Sequence, residues 1–182
     1  SQLIDINNLV TTHLNDMSNI FSNYTRFNYP INKWDTSNVT NMSMMFKNIR
    51  SFNQNIGNWD TSNVTDMKGM FSNSSRFNQN IGNWDTSNVT DMTEMFYNCR
   101  NFNQDLNDWV TINVINILDM FSGATRFDMT NAEFYVDGDQ IEMFVKTKEI
   151  EDLKLLLDNP NFNIYRRISY SDDSLLHIAA YY

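Results

Sequence analysis

Large apolar residues recur along this chain every 25 positions, a period far longer than that of an isolated strand or helix. Trp34, Trp59, Trp84 and Trp109 form one column, and Phe27, Phe52, Phe77, Phe102 and Phe127 another. A third runs Phe21, Phe46, Phe71, Phe96 and Phe121. Ile31, Ile56, Ile81 and Leu106 align, as do Leu14, Val39, Val64, Val89 and Val114. Met17, Met42, Met67 and Met92 make a column closed by Ile117; Ile20, Met45, Met70, Met95 and Met120 make the next. The segment FNQNIGNWDTSNVTDM stands unchanged at residues 52–67 and 77–92. A unit this short cannot enclose a core of its own, so such repeats stack and bury their apolar faces against one another.

Within a unit, Val64, Met67, Met70 and Phe71 share one face of a short helix, with Thr61 and Ser62 as N-cap residues and Asp66 near its positive end. The preceding NIGNWDT, with Ile56 and Trp59, predicts a short strand pairing in parallel with its copies, and SNSSRFNQN the return loop. The expected fold is an α/β repeat solenoid of short parallel strands and short helices over residues 1–128, with a degenerate first unit around Ile6 and Leu9. Stacking places each Trp over the next at about 4.8 Å. The methionine stripe is read as core filling by flexible thioethers rather than as a metal-binding surface.

The pattern FN..I..WDTSNVTDM..MF resembles the BspA-like surface-protein repeat of about 25 residues, a divergent branch of the leucine-rich-repeat solenoids. That resemblance covers about two thirds of the chain and implies a strand-and-helix solenoid with binding or adhesion roles. It extends to bacterial surface proteins and to proteins of protists and large DNA viruses. An intracellular (cytoplasmic) or virion-associated setting is therefore expected ahead of the cell surface.

After Asp128 the period is lost. Residues 129–138 read as a linker, and residues 139–182 as an all-α, ankyrin-like segment. DQIEMFVKTKEIEDLKLLLD is rich in helix formers, with Ile141, Phe144 and Val145 on one apolar face, and Pro160 ends the pattern. DDSLLHIAAYY resembles the opening of an ankyrin repeat, with Ser174, Leu175, Leu176, His177, Ala179 and Ala180 on its positions and Asp173 and Leu175 departing from it. In that resemblance His177 fixes a turn through the Ser174 hydroxyl. Because the sequence stops inside the first helix of such a unit, a longer parent chain is expected.

The net charge of −9 disfavours nucleic acid and anionic membranes as partners. Cys99 stands alone, so neither an internal disulfide nor a thiolate metal cluster can form. No run approaches the roughly 18 apolar residues of a membrane span, and SQLIDINNLV lacks the pattern of a secretory leader. With two histidines far apart and no glycine-rich phosphate loop, no nucleophile–base pair stands out, so a non-catalytic protein without cofactors is expected.

Asp35, Asp60 and Asp85 align, and this column has two readings. One is a bound cation such as Ca²⁺, which would offset the repulsion of stacked carboxylates. The other is an Asx turn at each unit, which the lapse at Val110 favours. Asn53 and Asn78, with Asn55 and Asn80, suggest amide ladders; the sequons at NVT are by-products of the repeat. The exposed positions that differ between units are the candidate partner contacts: Lys47, Arg50, Lys68, Arg76, Glu94, Tyr97, Arg100, Asp119 and Arg126. The expected function is a protein-interaction scaffold whose partner is a protein, an ankyrin-mediated host or assembly component included. A structural subunit of a virion or surface assembly is the alternative, and a surface adhesin the next.

Overall fold

The computed structural model describes residues 5–135. Contacts divide the chain into two compact units, Ser1–Ala132 and Glu133–Tyr182, and the architecture described here is that of the first. It is a stack of 25-residue turns in which each turn lies on the next. The parallel bridges Asp16 to Asn41, Asn41 to Asp66, Asp66 to Asp91 and Asp91 to Asn116 advance by one repeat at a time.

The expected strand-and-helix unit is not what the chain forms. Among the described residues the only helical segments are the short 3₁₀ turns Ile6–Asn8 and Met129–Asn131, and pairing is confined to isolated bridges. The α/β assignment is therefore corrected: each unit is a run of consecutive tight turns. The ankyrin-like segment at 139–182, with His177, lies outside the described residues.

The backbone hydrogen bonds give the reason. In the third unit the N–H groups of Met67, Gly69, Phe71 and Asn73 donate to the carbonyls of Asp91, Thr93, Met95 and Tyr97 at 2.7–3.0 Å. The intervening N–H groups of Met70, Ser72 and Ser74 close i to i+3 turns onto Met67, Gly69 and Phe71. Every second donor thus reaches the neighbouring unit, where an α-helix would keep all of them within itself. Two left-handed residues per unit enforce the alternation. Asn19, Met44, Gly69, Glu94 and Asp119 have φ of 54–58°, and Asn23, Asn48, Asn73, Asn98 and Gly123 have φ of 55–74°. Two left-handed residues four positions apart in each unit prevent a helix from propagating through this segment.

Parallel pairing also falls elsewhere than expected. It sits in the Asp66 column, whereas Ile56–Trp59 is a turn closed by the Trp59 N–H on the Ile56 carbonyl at 3.1 Å. Met70 and Ser72, whose N–H groups bond within the unit, offer their carbonyls to the Phe46 and Asn48 N–H groups of the preceding unit at 2.9 and 2.8 Å, so stacking satisfies the buried backbone.

The predicted apolar columns do form the core. Val64, Met67, Met70 and Phe71 are fully buried, and Trp59, Trp84 and Trp109 nearly so. Within each unit two phenylalanines stack closely, Phe46 on Phe52 and Phe71 on Phe77 both at 3.9 Å. Between units the same rings continue as columns, Phe46 to Phe71 at 5.6 Å and Phe71 to Phe96 at 5.7 Å. Trp84 and Trp109 lie 6.5 Å apart, farther than the rise of the stack, so the indoles are offset, the arrangement their quadrupoles prefer. Each indole N–H donates to a carbonyl one unit back, as Trp84 does to Ile56 at 3.2 Å.

Candidate interaction surface

The polar residues of the repeated segment turn inward on the backbone rather than outward on a ligand. The Ser62 N–H and hydroxyl both donate to Asp60 Oδ1, at 3.0 and 2.6 Å. Ser37 does the same to Asp35, and the Ser87 N–H bonds Asp85 at 2.9 Å. The aligned aspartates are therefore Asx turns. The serine hydroxyls, then the serine N–H groups, hold the carboxyls of Asp35 and Asp85 below the usual range. Each aspartate uses one oxygen in its turn. Among the described residues no group of three or more His, Cys, Asp or Glu is arranged to hold a metal ion.

Asparagine supplies three ladders along the stack. Asn48, Asn73 and Asn98 each donate a side-chain N–H to the amide oxygen of the Asn one unit back, at 2.8–2.9 Å. Asn53 and Asn78 accept the backbone N–H of Asn78 and Asn103, both at 2.9 Å. Asn63 and Asn88 donate to the carbonyls of Ser37 and Ser62, both at 2.7 Å. Asn55 instead closes a local turn on the Gly57 N–H at 3.0 Å. Thr61 is buried, with its hydroxyl on the Asp85 carbonyl at 2.9 Å.

Cys99 is buried as well. Its thiol lies 2.9 Å from the Phe71 carbonyl, and burial pushes its pKa far up, so it is a poor nucleophile. Ser74, one unit earlier, reaches back to the Phe46 carbonyl in the same manner.

The nine candidate contact residues fall into two groups. Lys47, Tyr97, Arg50, Arg76, Arg100 and Arg126 lie on the return loops; the four arginines are exposed and Lys47 and Tyr97 half-buried. Lys68, Glu94 and Asp119 lie on the tight-turn side, with Lys68 and Glu94 half-buried and Asp119 exposed. Glu94 and Asp119 occupy left-handed positions, where backbone conformation as well as surface chemistry restricts the choice of residue.

Sequence reasoning missed a further set. In the last full unit, positions that earlier carry Asp60, Ser62, Thr65 and Lys68 become Val110, Ile112, Ile115 and Leu118. These four side chains are 41%, 53%, 60% and 55% exposed. Apart from the buried Thr93, their counterparts in the second to fourth units are exposed or half-buried, so the substitutions add apolar surface without adding to the core.

With the surface laid out, comparison with known proteins gives one match. The family model described as "Mycoplasma protein of unknown function, DUF285" matches residues 1–82 and 55–155. The chain belongs to this family. The two matches to DUF285 overlap by about one repeat, as expected when a model covering several units fits a periodic chain in two registers. No curated protein and no solved structure matches the chain. Among the described residues of this DUF285 chain, no helix is long and apolar enough to cross a membrane.

Proposed function

We propose that this chain is a non-catalytic interaction scaffold: a rigid stack that displays a non-repeating surface to a protein partner. The resemblance to BspA-like repeats supports the same reading, since stacked arrays present extended surfaces rather than enclosed reaction sites. The observation that carries it is the change of character in the last unit. Val110, Ile112, Ile115 and Leu118 are exposed aliphatics in columns that hold only polar residues in the second, third and fourth units, with Val10 the one earlier aliphatic, in the first. Core packing does not call for them, and exposed aliphatics carry a solubility cost that a bound partner offsets.

The test restores the polar residues of the third unit through Val110→Asp, Ile112→Ser, Ile115→Thr and Leu118→Lys. The frame already accepts these residues in the same columns, so the variant folds. Wild type and variant are used side by side to capture proteins from the native source, with mass spectrometry as readout. A protein retained at fixed stoichiometry by wild type and lost from the variant supports the scaffold. Equal capture by both, or capture by neither, refutes it.

A further inference from the structure

The return loops carry a regularity that neither the core nor the turns require. Arg26, Arg50, Arg76, Arg100 and Arg126 supply one arginine to each of five successive loops, at spacings of 24, 26, 24 and 26 residues. The guanidiniums therefore zigzag between two adjacent columns, and all five residues are exposed. Where a column lacks arginine it holds Thr25, Ser51, Ser75, Asn101 or Thr125, so the backbone there accepts small polar residues. Zigzagging relieves the repulsion that directly stacked cations would suffer at a rise of about 4.8 Å. Among the described residues none of the five arginines pairs with a carboxylate.

The charge is segregated although the chain as a whole is acidic. The loop segments 22–28, 47–53, 72–78, 97–103 and 122–128 contain six Lys or Arg and one Asp. Segments 10–21, 35–46, 60–71, 85–96 and 110–121 contain eight Asp or Glu and one Lys. Asp35, Asp60 and Asp85 stand nine or ten residues beyond the loop arginines on a 25-residue circuit, and thus on a different side of the stack. Their turns occupy Oδ1 with serine donors, and the three aspartates are half-buried or exposed, so each keeps a second carboxylate oxygen for another donor.

We propose that the arginine row of one chain binds the Asp35, Asp60 and Asp85 row of a second copy, unit against unit. Pitch selects this occupant. Both rows inherit the rise of the same stack, so three successive guanidiniums meet the three carboxylates without cumulative drift. An extended acidic peptide advances about 3.3 Å per residue and falls out of step with a row spaced about 4.8 Å. The contact is head-to-tail, because the two rows are different surfaces. It uses neither Val110 nor its aliphatic neighbours, so it stands or falls separately from the scaffold reading.

The full chain is followed by sedimentation velocity across salt concentration. Two variants accompany it: Arg50→Ser, Arg76→Ser, Arg100→Ser, which removes the cations, and Asp35→Asn, Asp60→Asn, Asp85→Asn, which keeps the turn acceptors and removes the charges. Wild type is expected to associate at low salt and dissociate at high salt, and each variant alone to associate at least tenfold more weakly. Mixed together, the two variants regain a one-to-one complex, since each retains the row the other has lost. Thermal melts of the variants show whether any loss reflects unfolding; should both unfold, the salt series on wild type still decides. A wild type that stays monomeric at low salt, association insensitive to salt, or mixed variants that fail to complement each other would overturn the proposal. So would binding of a poly-glutamate peptide or single-stranded RNA in place of self-association.

Discussion

Truncating one phenylalanine in the middle of the stack should cost far more than truncating its counterpart at the end. Phe71 is fully buried and touches rings on three sides. Phe77 lies at 3.9 Å within its unit, and Phe46 and Phe96 lie at 5.6 and 5.7 Å in the units on either side. Burial of roughly 150–250 Å² at about 25 cal/mol per Å² gives about 4–6 kcal/mol. The extended-chain reference inflates that figure by about 10–40%. About 4 kcal/mol is therefore expected for Phe71→Ala, within the usual range for such truncations. Phe21 heads the same column, is only half-buried, and has a stacked ring in just one neighbouring unit, Phe46 at 5.7 Å. Phe21→Ala should cost about half as much, near 2 kcal/mol. Equilibrium urea unfolding followed by tryptophan fluorescence and far-ultraviolet circular dichroism reads both values. Equal costs at the two sites, or a cost below about 1 kcal/mol at Phe71, would refute stacking as the source of stability.

Three further outcomes follow from individual groups. Cys99 should resist thiol reagents in the folded chain at neutral pH and react on unfolding, because burial raises its pKa; rapid labelling of native protein would contradict its placement. The Thr93 hydroxyl is buried without a hydrogen-bond partner, so Thr93→Val should raise stability by about 1 kcal/mol in thermal or urea melts; a loss would mean that the hydroxyl is satisfied. Asp16, Asp35, Asp85 and Asp128 have lowered pKa values, chiefly from hydrogen bonds donated by Ser18, Ser37, Ser87 and Thr130. Their contribution is present above the unfolded value of about 3.9 and is lost as pH falls through the folded values. The urea midpoint of wild type should therefore drop on acidification more than that of Asp35→Asn, Asp85→Asn, and identical pH profiles would remove this assignment.

The stacking direction was legible in the sequence, because Trp, Phe, Val and Met columns at one period have no other economical explanation. The Asx turns were legible too, since Asp followed two residues later by Ser is a local arrangement. The conformation of the unit was not. Val64, Met67 and Met70 recur every three residues, a spacing shared by a helix and by a succession of tight turns. The left-handed residues that distinguish the two are openly signalled at Gly69 and Asn73, but Met44 and Glu94 occupy equivalent positions and hide the signal. The aliphatic outer surface at Val110, Ile112, Ile115 and Leu118 was readable by following outward columns as closely as inward ones. The arginine zigzag was hidden differently: alternation between two columns leaves neither one looking basic.

The most direct test of the stacked-turn architecture is a through-hydrogen-bond scalar coupling measured by NMR at the Phe71 amide. A helix over this segment would couple the Phe71 nitrogen to the carbonyl carbon of Met67, four residues back. The structure instead has Phe71 donating to Met95, 24 residues ahead, at 3.0 Å. Coupling to Met95, with matching couplings from Met67 to Asp91 and from Asn73 to Tyr97, is the expected result. Coupling to Met67 would contradict it and restore the helix.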